Sequence, residues 1–155
     1  MKVGVISDTH GYFDPRLPEL FAGVDHILHA GDVGGAFITF QLEQIAPVTA
    51  VLGNSDSPMM CLRDTEVVEL DHRKYLVHHI VDHPRALVGS LRSRVAREKP
   101  DVVVFGHTHK PYCQLFDGVL YFNPGYAGTP RVGMERSVAI LRWEHGNVRP
   151  QFLPL

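Results

Sequence analysis

"VVVFGHTHKP", residues 102–111, joins a run of apolar residues to a glycine and two histidines. A short apolar run that ends at glycine is typical of a strand buried on both faces, as in a parallel sheet. Gly106 allows the chain to turn sharply, and His107 and His109 then follow with only Thr108 between them. The stretch therefore predicts a buried strand that delivers two imidazoles to one edge of a sheet.

Similar apolar runs, rich in valine and isoleucine, recur along the chain and alternate with helical patterns. Alternating strands and helices predict an α/β fold with parallel strands. In the second helix we expect Phe37 and Phe40 to lie in the core, and in the third we expect Pro84 in the first turn. The predicted strands are 2–6, 26–30, 48–52 and 101–105, and the predicted helices are 16–22, 36–46 and 84–99.

Three β-hairpins are predicted in the rest of the chain, over 65–78, 112–122 and 137–153. The strongest indication is Asp117-Gly118 between two apolar runs, because this pair favours a two-residue turn. Together these elements predict a sandwich of mixed sheets flanked by helices, in a single domain over residues 1–155.

The composition is that of an ordinary globular protein, with 155 residues, 45% hydrophobic residues and a formal net charge of −2. This charge gives no basic field, so nucleic acid is not the expected partner. Cys61 and Cys113 are too few for a disulfide framework. No apolar run approaches the roughly 20 residues of a membrane span, and Asp8 interrupts the first run too early for a signal peptide. We expect a cytoplasmic protein that does not enter a membrane.

Basic residues cluster between positions 85 and 99. The cluster predicts a solvated helix face, or alternatively a docking surface for anionic substrates or nucleic acid. Its members are Arg85, Arg92, Arg94, Arg97 and Lys99.

Polar side chains follow almost every predicted strand, and the carboxyl ends of parallel strands are where ligands bind in open α/β sheets. Carboxylates gathered without basic partners repel each other, and a cation relieves that repulsion. Nitrogen and oxygen ligands without thiolate favour Mn, Fe, Zn, Co or Ni. The candidate ligands are Asp8, His10, Asp32, Asn54, His78, His107 and His109.

Seven ligands exceed the four of a tetrahedral site, which indicates two ions. A carboxylate can give one oxygen to each ion, so Asp32 could be shared. Two ions roughly 3.5–4 Å apart clamp the attacking and leaving oxygens of a displacement at phosphorus.

Six short blocks, in order along the chain, resemble the calcineurin-like metallophosphoesterases, and the chain length resembles their compact YfcE-like phosphodiesterase branch. The resemblance implies a four-layer sandwich of two mixed β-sheets flanked by helices. The blocks are "SDTHG" (7–11), "GD" (31–32), "GNSD" (53–56), "VHH" (77–79), "GHTH" (106–109) and "NPG" with a later "PR" (123–131).

The same resemblance implies a phosphodiesterase that acts on a small phosphoester with two divalent ions, most readily manganese. A hydroxide between the ions would attack phosphorus, with Asp32, Asn54 and His107 as the residues closest to the chemistry. Relatives often form homo-oligomers, and the sequence leaves both a monomer and a homo-oligomer open here. The implied ligands are Asp8, His10 and His109 for the first ion and Asn54, His78 and His107 for the second, with Asp32 bridging.

Two positions depart from the family pattern. The usual His-Gly-His block is "HHIV" at 78–81, and the register behind the strand favours His78 as the ligand. A slip of one residue would make His79 the ligand instead, since neighbours in a strand point to opposite faces. Ser55 stands where larger members carry a histidine thought to protonate the leaving group. A serine is a poor acid, so we expect slow turnover, a preference for good leaving groups, or an acid supplied from elsewhere in the protein.

Three further residues have expected roles around the ions. Asp56 is expected to orient a ligating histidine. Tyr126 replaces the serine of the usual NPGS block and is expected to line the substrate pocket. Arg131 could contact phosphate or form a surface salt bridge.

Two alternative functions stay open. The small subunit of the eukaryotic retromer has this implied fold and serves as a non-catalytic scaffold. Within enzymes, a phosphomonoesterase or nucleotide hydrolase would use the same ligands.

Overall fold

Two five-stranded sheets form the framework of the protein, as described over residues 1–155 by a computed structural model. In chain order the elements are β1 (Lys2–Ile6), α1 (Leu17–Leu20), β2 (His26–His29), α2 (Ala36–Glu43), β3 (Val48–Ala50), β4 (Thr65–Leu70), β5 (Arg73–His78), α3 (Gly89–Glu98), β6 (Val102–Val104), β7 (Tyr112–Phe116), β8 (Val119–Asn123), β9 (Ser137–Glu144) and β10 (Asn147–Pro154).

Each sheet combines parallel and antiparallel strands. The first sheet has the order β10-β9-β1-β2-β3, in which β1, β2 and β3 are parallel. The second has the order β4-β5-β6-β8-β7, in which β5, β6 and β8 are parallel. The remaining strands pair antiparallel with their neighbours. Both sheets are therefore mixed, as the sequence predicted.

Four layers result from the way the apolar side chains alternate along the strands. Val3 and Val5 of β1 lie between the sheets, in one buried cluster with Tyr75 and Val77 of β5. On the outer face of the first sheet, α1 and α2 cover a second cluster. On the outer face of the second sheet, Leu91 of α3 packs against a third. This arrangement confirms the predicted sandwich flanked by helices.

Two details of the helices differ from the sequence prediction. Ile38 and Leu42, four residues apart, are the buried residues of α2, so Phe37 and Phe40 lie on the other side and are 54% and 64% exposed. The core placement of these two phenylalanines was wrong. The third helix begins at Gly89, so Pro84 lies in the preceding loop and does not open the helix.

The three predicted hairpins are confirmed, and each closes with a two-residue turn whose residues have positive φ. The turn residues are Asp71-His72, Asp117-Gly118 and His145-Gly146. Positive φ at both positions matches the twist of the flanking strands. None of the helices is both long and apolar enough to traverse a bilayer.

Candidate metal centre

The loops that follow the parallel strands gather six of the seven predicted ligands into one cluster. Asp8 and His10 follow β1, Asp32 follows β2, and Asn54 follows β3. The loop after β6 supplies the remaining two, His107 and His109. Parallel pairing brings these strand ends to a common edge, which is why residues far apart in the chain meet there.

A first group of donor atoms is formed by Asp8, His10 and His109. The Oδ1 of Asp8 lies 3.2 Å from Nε2 of His109 and 3.8 Å from Nε2 of His10. The two imidazole Nε2 atoms are 3.4 Å apart. Ligands that share one ion at about 2.0–2.2 Å lie at comparable separations, so this group has the spacing of a metal site.

A second group contains Asn54, His79 and His107. The Oδ1 of Asn54 lies 3.0 Å from Nε2 of His79 and 3.0 Å from Nδ1 of His107. Asp32 lies between the groups, because its Oδ2 is 3.3 Å from Nε2 of His79 and 3.7 Å from Nε2 of His10.

The structure places His79, and not the predicted ligand His78, in the cluster. Val77 of β5 faces the core between the sheets, and His79, two residues later, continues on that side. His78 shares the opposite side with Leu76, where its Nδ1 lies 2.8 Å from the hydroxyl of Thr65. The sequence could not decide between them, since β5 is apolar on both faces.

The tautomer of His79 is fixed by the backbone. Its Nδ1 lies 2.6 Å from the carbonyl oxygen of Ala30, which can only accept a hydrogen bond, so Nδ1 carries the proton. In the neutral ring, the lone pair of Nε2 then faces the oxygens of Asn54 and Asp32. Such a set of lone pairs is repulsive unless a cation lies among them.

Asp8 supports the same conclusion. One of its oxygens, Oδ2, accepts hydrogen bonds from the hydroxyl of Ser7 (2.7 Å) and the backbone N–H of His107 (3.1 Å). The other, Oδ1, is buried, has no hydrogen-bond partner, and points at His109. Burial raises the pKa of Asp8, although the Ser7 hydrogen bond and the nearby imidazoles oppose that rise. A cation beside Oδ1 would satisfy this oxygen, so the residues fit a metal.

Asp32 is held by the loop after β3. Its Oδ1 accepts a hydrogen bond from the backbone N–H of Ser55 (2.9 Å), and its Oδ2 accepts one from the Ser55 hydroxyl (3.0 Å). Burial alone would raise the pKa of Asp32, but the Ser55 hydrogen bonds and the imidazoles of His79 and His10 outweigh it, and the pKa lies below its ordinary value. The carboxylate is therefore ionised and fixed between the two groups.

The backbone around the cluster is tightly folded. Five of the eleven non-glycine residues with positive φ are predicted ligands, which are Asp8, His10, Asp32, His107 and His109. Such conformations cluster at functional sites because the surrounding structure must enforce them. Two glycines allow the close contacts: a Cβ at Gly53 would strike Asp32, and one at Gly106 would strike Ser7 and Asp8.

Asp56 does not orient a histidine, which corrects that prediction. Its carboxylate accepts backbone hydrogen bonds from Gly53 (2.9 Å), Val33 (3.0 Å) and Gly34 (2.8 Å). It therefore ties the Asp32 loop to the Asn54 loop. Among the donor imidazoles, His79 is held by a hydrogen bond to the backbone carbonyl of Ala30. No side-chain motif in the sequence can reveal such a partner.

Tyr126 and Arg131 flank the first group. Tyr126 is fully buried, and its ring lies 4.7 Å from that of His109 and 6.2 Å from that of His10. It therefore packs against the imidazoles, and its hydroxyl donates to the carbonyl of Thr129. Arg131 is exposed, with its guanidinium 5.8 Å from the Tyr126 ring.

Sequence reasoning missed a buried polar chain beneath the ligands. His29 is fully buried in β2; its Nδ1 accepts from the N–H of Gly31 (3.2 Å), so Nε2 donates to the hydroxyl of Thr9 (2.9 Å). Thr9 in turn donates to the carbonyl of Val33. The only indication in the sequence was that His29, like His26, lies in the predicted strand 26–30.

We predict that His29 makes folding stability depend on pH. Burial lowers the pKa of His29 to about 3, from 6.5 in the unfolded chain. Below pH 6.5 the unfolded state therefore binds a proton at His29 that the folded state does not bind. The contribution of His29 to the free energy of unfolding is complete above pH 6.5 and declines as the pH falls towards 3. Between pH 6.5 and about 4.5 the free energy of unfolding should fall by about 2 kcal/mol.

Urea unfolding of the metal-free protein, kept in chelator, measures this slope. The variant His29→Gln should show a slope smaller by that amount, because glutamine does not titrate. An unchanged slope in the variant would contradict the assignment.

Comparisons with known proteins agree with this geometry. Residues 1–146 match the model of the calcineurin-like phosphoesterase superfamily domain. A probable metallophosphoesterase from Methanothermobacter thermautotrophicus is 36% identical over an alignment of 155 positions. The alignment covers 92% of this chain and 86% of the relative. The phosphodiesterase YfcE from Escherichia coli K12 is 30% identical and is covered to 87%, with 91% of this chain aligned. Among solved structures, vacuolar protein sorting 29 from Cryptosporidium parvum has the same fold, with a TM-score of 0.70 at 22% identity over 99% of this chain and 97% of that one.

The chain belongs to the calcineurin-like phosphoesterase superfamily. Within it, the relatives named metallophosphoesterase and phosphodiesterase share most of its length. The family and the clustered donor atoms together identify a phosphoesterase with a site for divalent metal.

Proposed function

We propose that the protein is a dinuclear phosphodiesterase, with manganese as its working metal. Asp8, His10 and His109 would hold one ion, and Asn54, His79 and His107 the other, with Asp32 shared. The observation that carries the proposal is the position of Asp32, whose Oδ2 is within 3.7 Å of a donor nitrogen in each group.

Hydrolysis joins the oxygen of water to phosphorus and breaks one ester P–O bond, and a proton ends on the leaving oxygen. When bound, two divalent ions would supply an activated water and offset the charge that develops on the phosphate. The protein supplies orientation. Ala30 keeps the His79 proton on Nδ1, Ser7 and the backbone of His107 keep Oδ1 of Asp8 free, and Asp56 keeps the two ligand loops together.

The site has no evident general acid to protonate the leaving group. The hydroxyl of Ser55 donates to Asp32, so its proton is already engaged. This arrangement supports a preference for esters whose leaving group departs without an acid, such as nitrophenol. General acid assistance contributes typically about 10²–10⁴-fold, and turnover on poorer leaving groups should be slower to that extent.

A non-catalytic scaffold is the second candidate. The fold shared with vacuolar protein sorting 29 and the exposed rings of Phe37 and Phe40 on α2 favour it. It ranks below the enzyme because all the donor groups are present and point at one another.

A homo-oligomer and a cytoplasmic location also stay proposals; the two free cysteines support a reducing compartment.

Hydrolysis of bis(p-nitrophenyl) phosphate with Mn²⁺ tests the proposed activity, and the pair His79→Ala and His78→Ala tests its site. We expect His79→Ala to lower kcat/KM by about 10–100-fold, because one donor is lost. His78→Ala should change it by less than about 3-fold, since that imidazole contacts Thr65.

Equal losses in the two variants would contradict the ligand assignment. A wild-type rate no higher than that of Mn²⁺ alone would refute the proposed enzyme.

A further inference from the structure

A cleft of about 750 Å³ opens beside the second donor group. Asn54 and His79 line it, so it is continuous with the candidate metal centre. Its volume lies in the range of small-molecule binding sites. The wall opposite the donor loops is α3, which no step of the proposed hydrolysis has used.

The side of α3 that faces the cleft is a polar stripe. Ser90, Ser93, Arg94 and Arg97 recur with the spacing i, i+3, i+4, i+7 of a single helix face, and all four line the cleft. Leu91 of α3 also lines the cleft, and together with Val95 it packs against the second sheet. Two members of the basic cluster, Arg94 and Arg97, thus line a cleft that reaches the candidate metal centre.

Positive charge on this stripe exceeds the negative charge available to it. Glu98 is the shared acid, with Oε1 at 3.1 Å from Nε of Arg94 and 3.5 Å from a terminal nitrogen of Arg97. The ammonium of Lys74 lies 4.0 Å from its other oxygen. One carboxylate thus serves three cations, and Asp64 is the only acid lining the cleft.

The geometry of the guanidinium groups suits a phosphate. Arg94 uses Nε for Glu98, which leaves its terminal nitrogens for a ligand. The paired N–H groups of a guanidinium can donate two parallel hydrogen bonds to phosphate oxygens, and the serine hydroxyls beside them can donate further hydrogen bonds.

We propose that this cleft selects phosphodiesters that carry a second, terminal phosphate. The diester phosphorus would lie at the metal centre, and the terminal phosphate would bind Arg94 and Arg97. This inference rests on the proposed phosphodiesterase function and adds a substrate class to it.

The test compares two dinucleotides that differ only in one phosphate, dithymidylate (TpT) and its 5′-phosphorylated form (pTpT). With Mn²⁺, the wild-type protein should prefer pTpT by about 10-fold in kcat/KM, mainly through a lower KM. The double variant Arg94→Gln with Arg97→Gln should bring the ratio of the two kcat/KM values close to 1. The double variant Arg94→Lys with Arg97→Lys should retain part of the preference, because it keeps the charge.

Arg92→Gln is the matched control, since Arg92 lies on the same helix but outside this cleft. It should leave the preference unchanged. Hydrolysis of bis(p-nitrophenyl) phosphate without a preference for pTpT, including failure to cleave either dinucleotide, overturns this inference alone. Failure to hydrolyse bis(p-nitrophenyl) phosphate overturns the proposed function as well.

Discussion

Asp32→Asn should reduce kcat/KM for bis(p-nitrophenyl) phosphate by at least about 100-fold, the largest loss of any single change in the site. Asp32 lies between the donor groups, with its Oδ2 3.7 Å from Nε2 of His10 and 3.3 Å from Nε2 of His79, so removing its charge weakens both ions. Asparagine keeps the shape of the side chain and can still accept the Ser55 N–H hydrogen bond, so the fold should persist. The number of bound manganese ions, measured by calorimetry, should fall together with activity.

The control is Asp25→Asn, which makes the same substitution at an exposed position just before β2, where Asp25 accepts a hydrogen bond from the N–H of Lys2. It should retain full metal binding and activity. If Asp32→Asn kept two ions and more than about a tenth of the activity, Asp32 would not be the shared ligand.

Arg136→Met should destabilise the protein by about 3 kcal/mol, the largest expected effect on folding. The Arg136 guanidinium is buried and donates to Oδ2 of Asp14 (2.9 Å) and to the carbonyl of Gly128 (2.7 Å). The hydrogen bond from Arg16 to Asp14 prevails over burial, and with Arg136 it holds the pKa of that carboxyl well below its usual range. Methionine would leave the buried carboxylate and carbonyl without this donor. For 155 residues, the shift in Tm should be close to 10 °C.

Arg16→Met provides the comparison, because Arg16 binds the same carboxylate from an exposed position. Water can replace an exposed partner, so this change should destabilise the protein much less than Arg136→Met does. Thermal melts of both variants decide the matter: if Arg16→Met is as damaging as Arg136→Met, burial is not what makes the inner pair important.

Much of the fold and site could be predicted because the relevant patterns are local. Apolar runs followed by glycine marked β2, β3 and β6, and the polar residues after them were among the donors that converge. The Asp117-Gly118 pair marked its hairpin for the same reason, since a two-residue turn needs positive φ.

The errors arose where the outcome depends on which face of an element is covered. His78 is the last residue of β5, which is buried on both sides, and His79 follows it, so composition could not assign the inward position. Phe37 and Phe40 are apolar enough for a core, yet Ile38 and Leu42 occupy it. The contacts of Asp56 with backbone N–H groups depend on loops that meet only in three dimensions.

The donors come from both halves of the sandwich, and this has a mechanical consequence. His109, from the second sheet, completes a group begun by Asp8 and His10 of the first; His79 and His107 likewise join Asn54 of the first. An ion in either group would be bound by residues from both sheets and would link the two sheets together. Sliding one sheet past the other by a single residue, a step of roughly 3.3 Å, would separate every such trio. Resistance to shear between the two halves and retention of metal would thus be the same property.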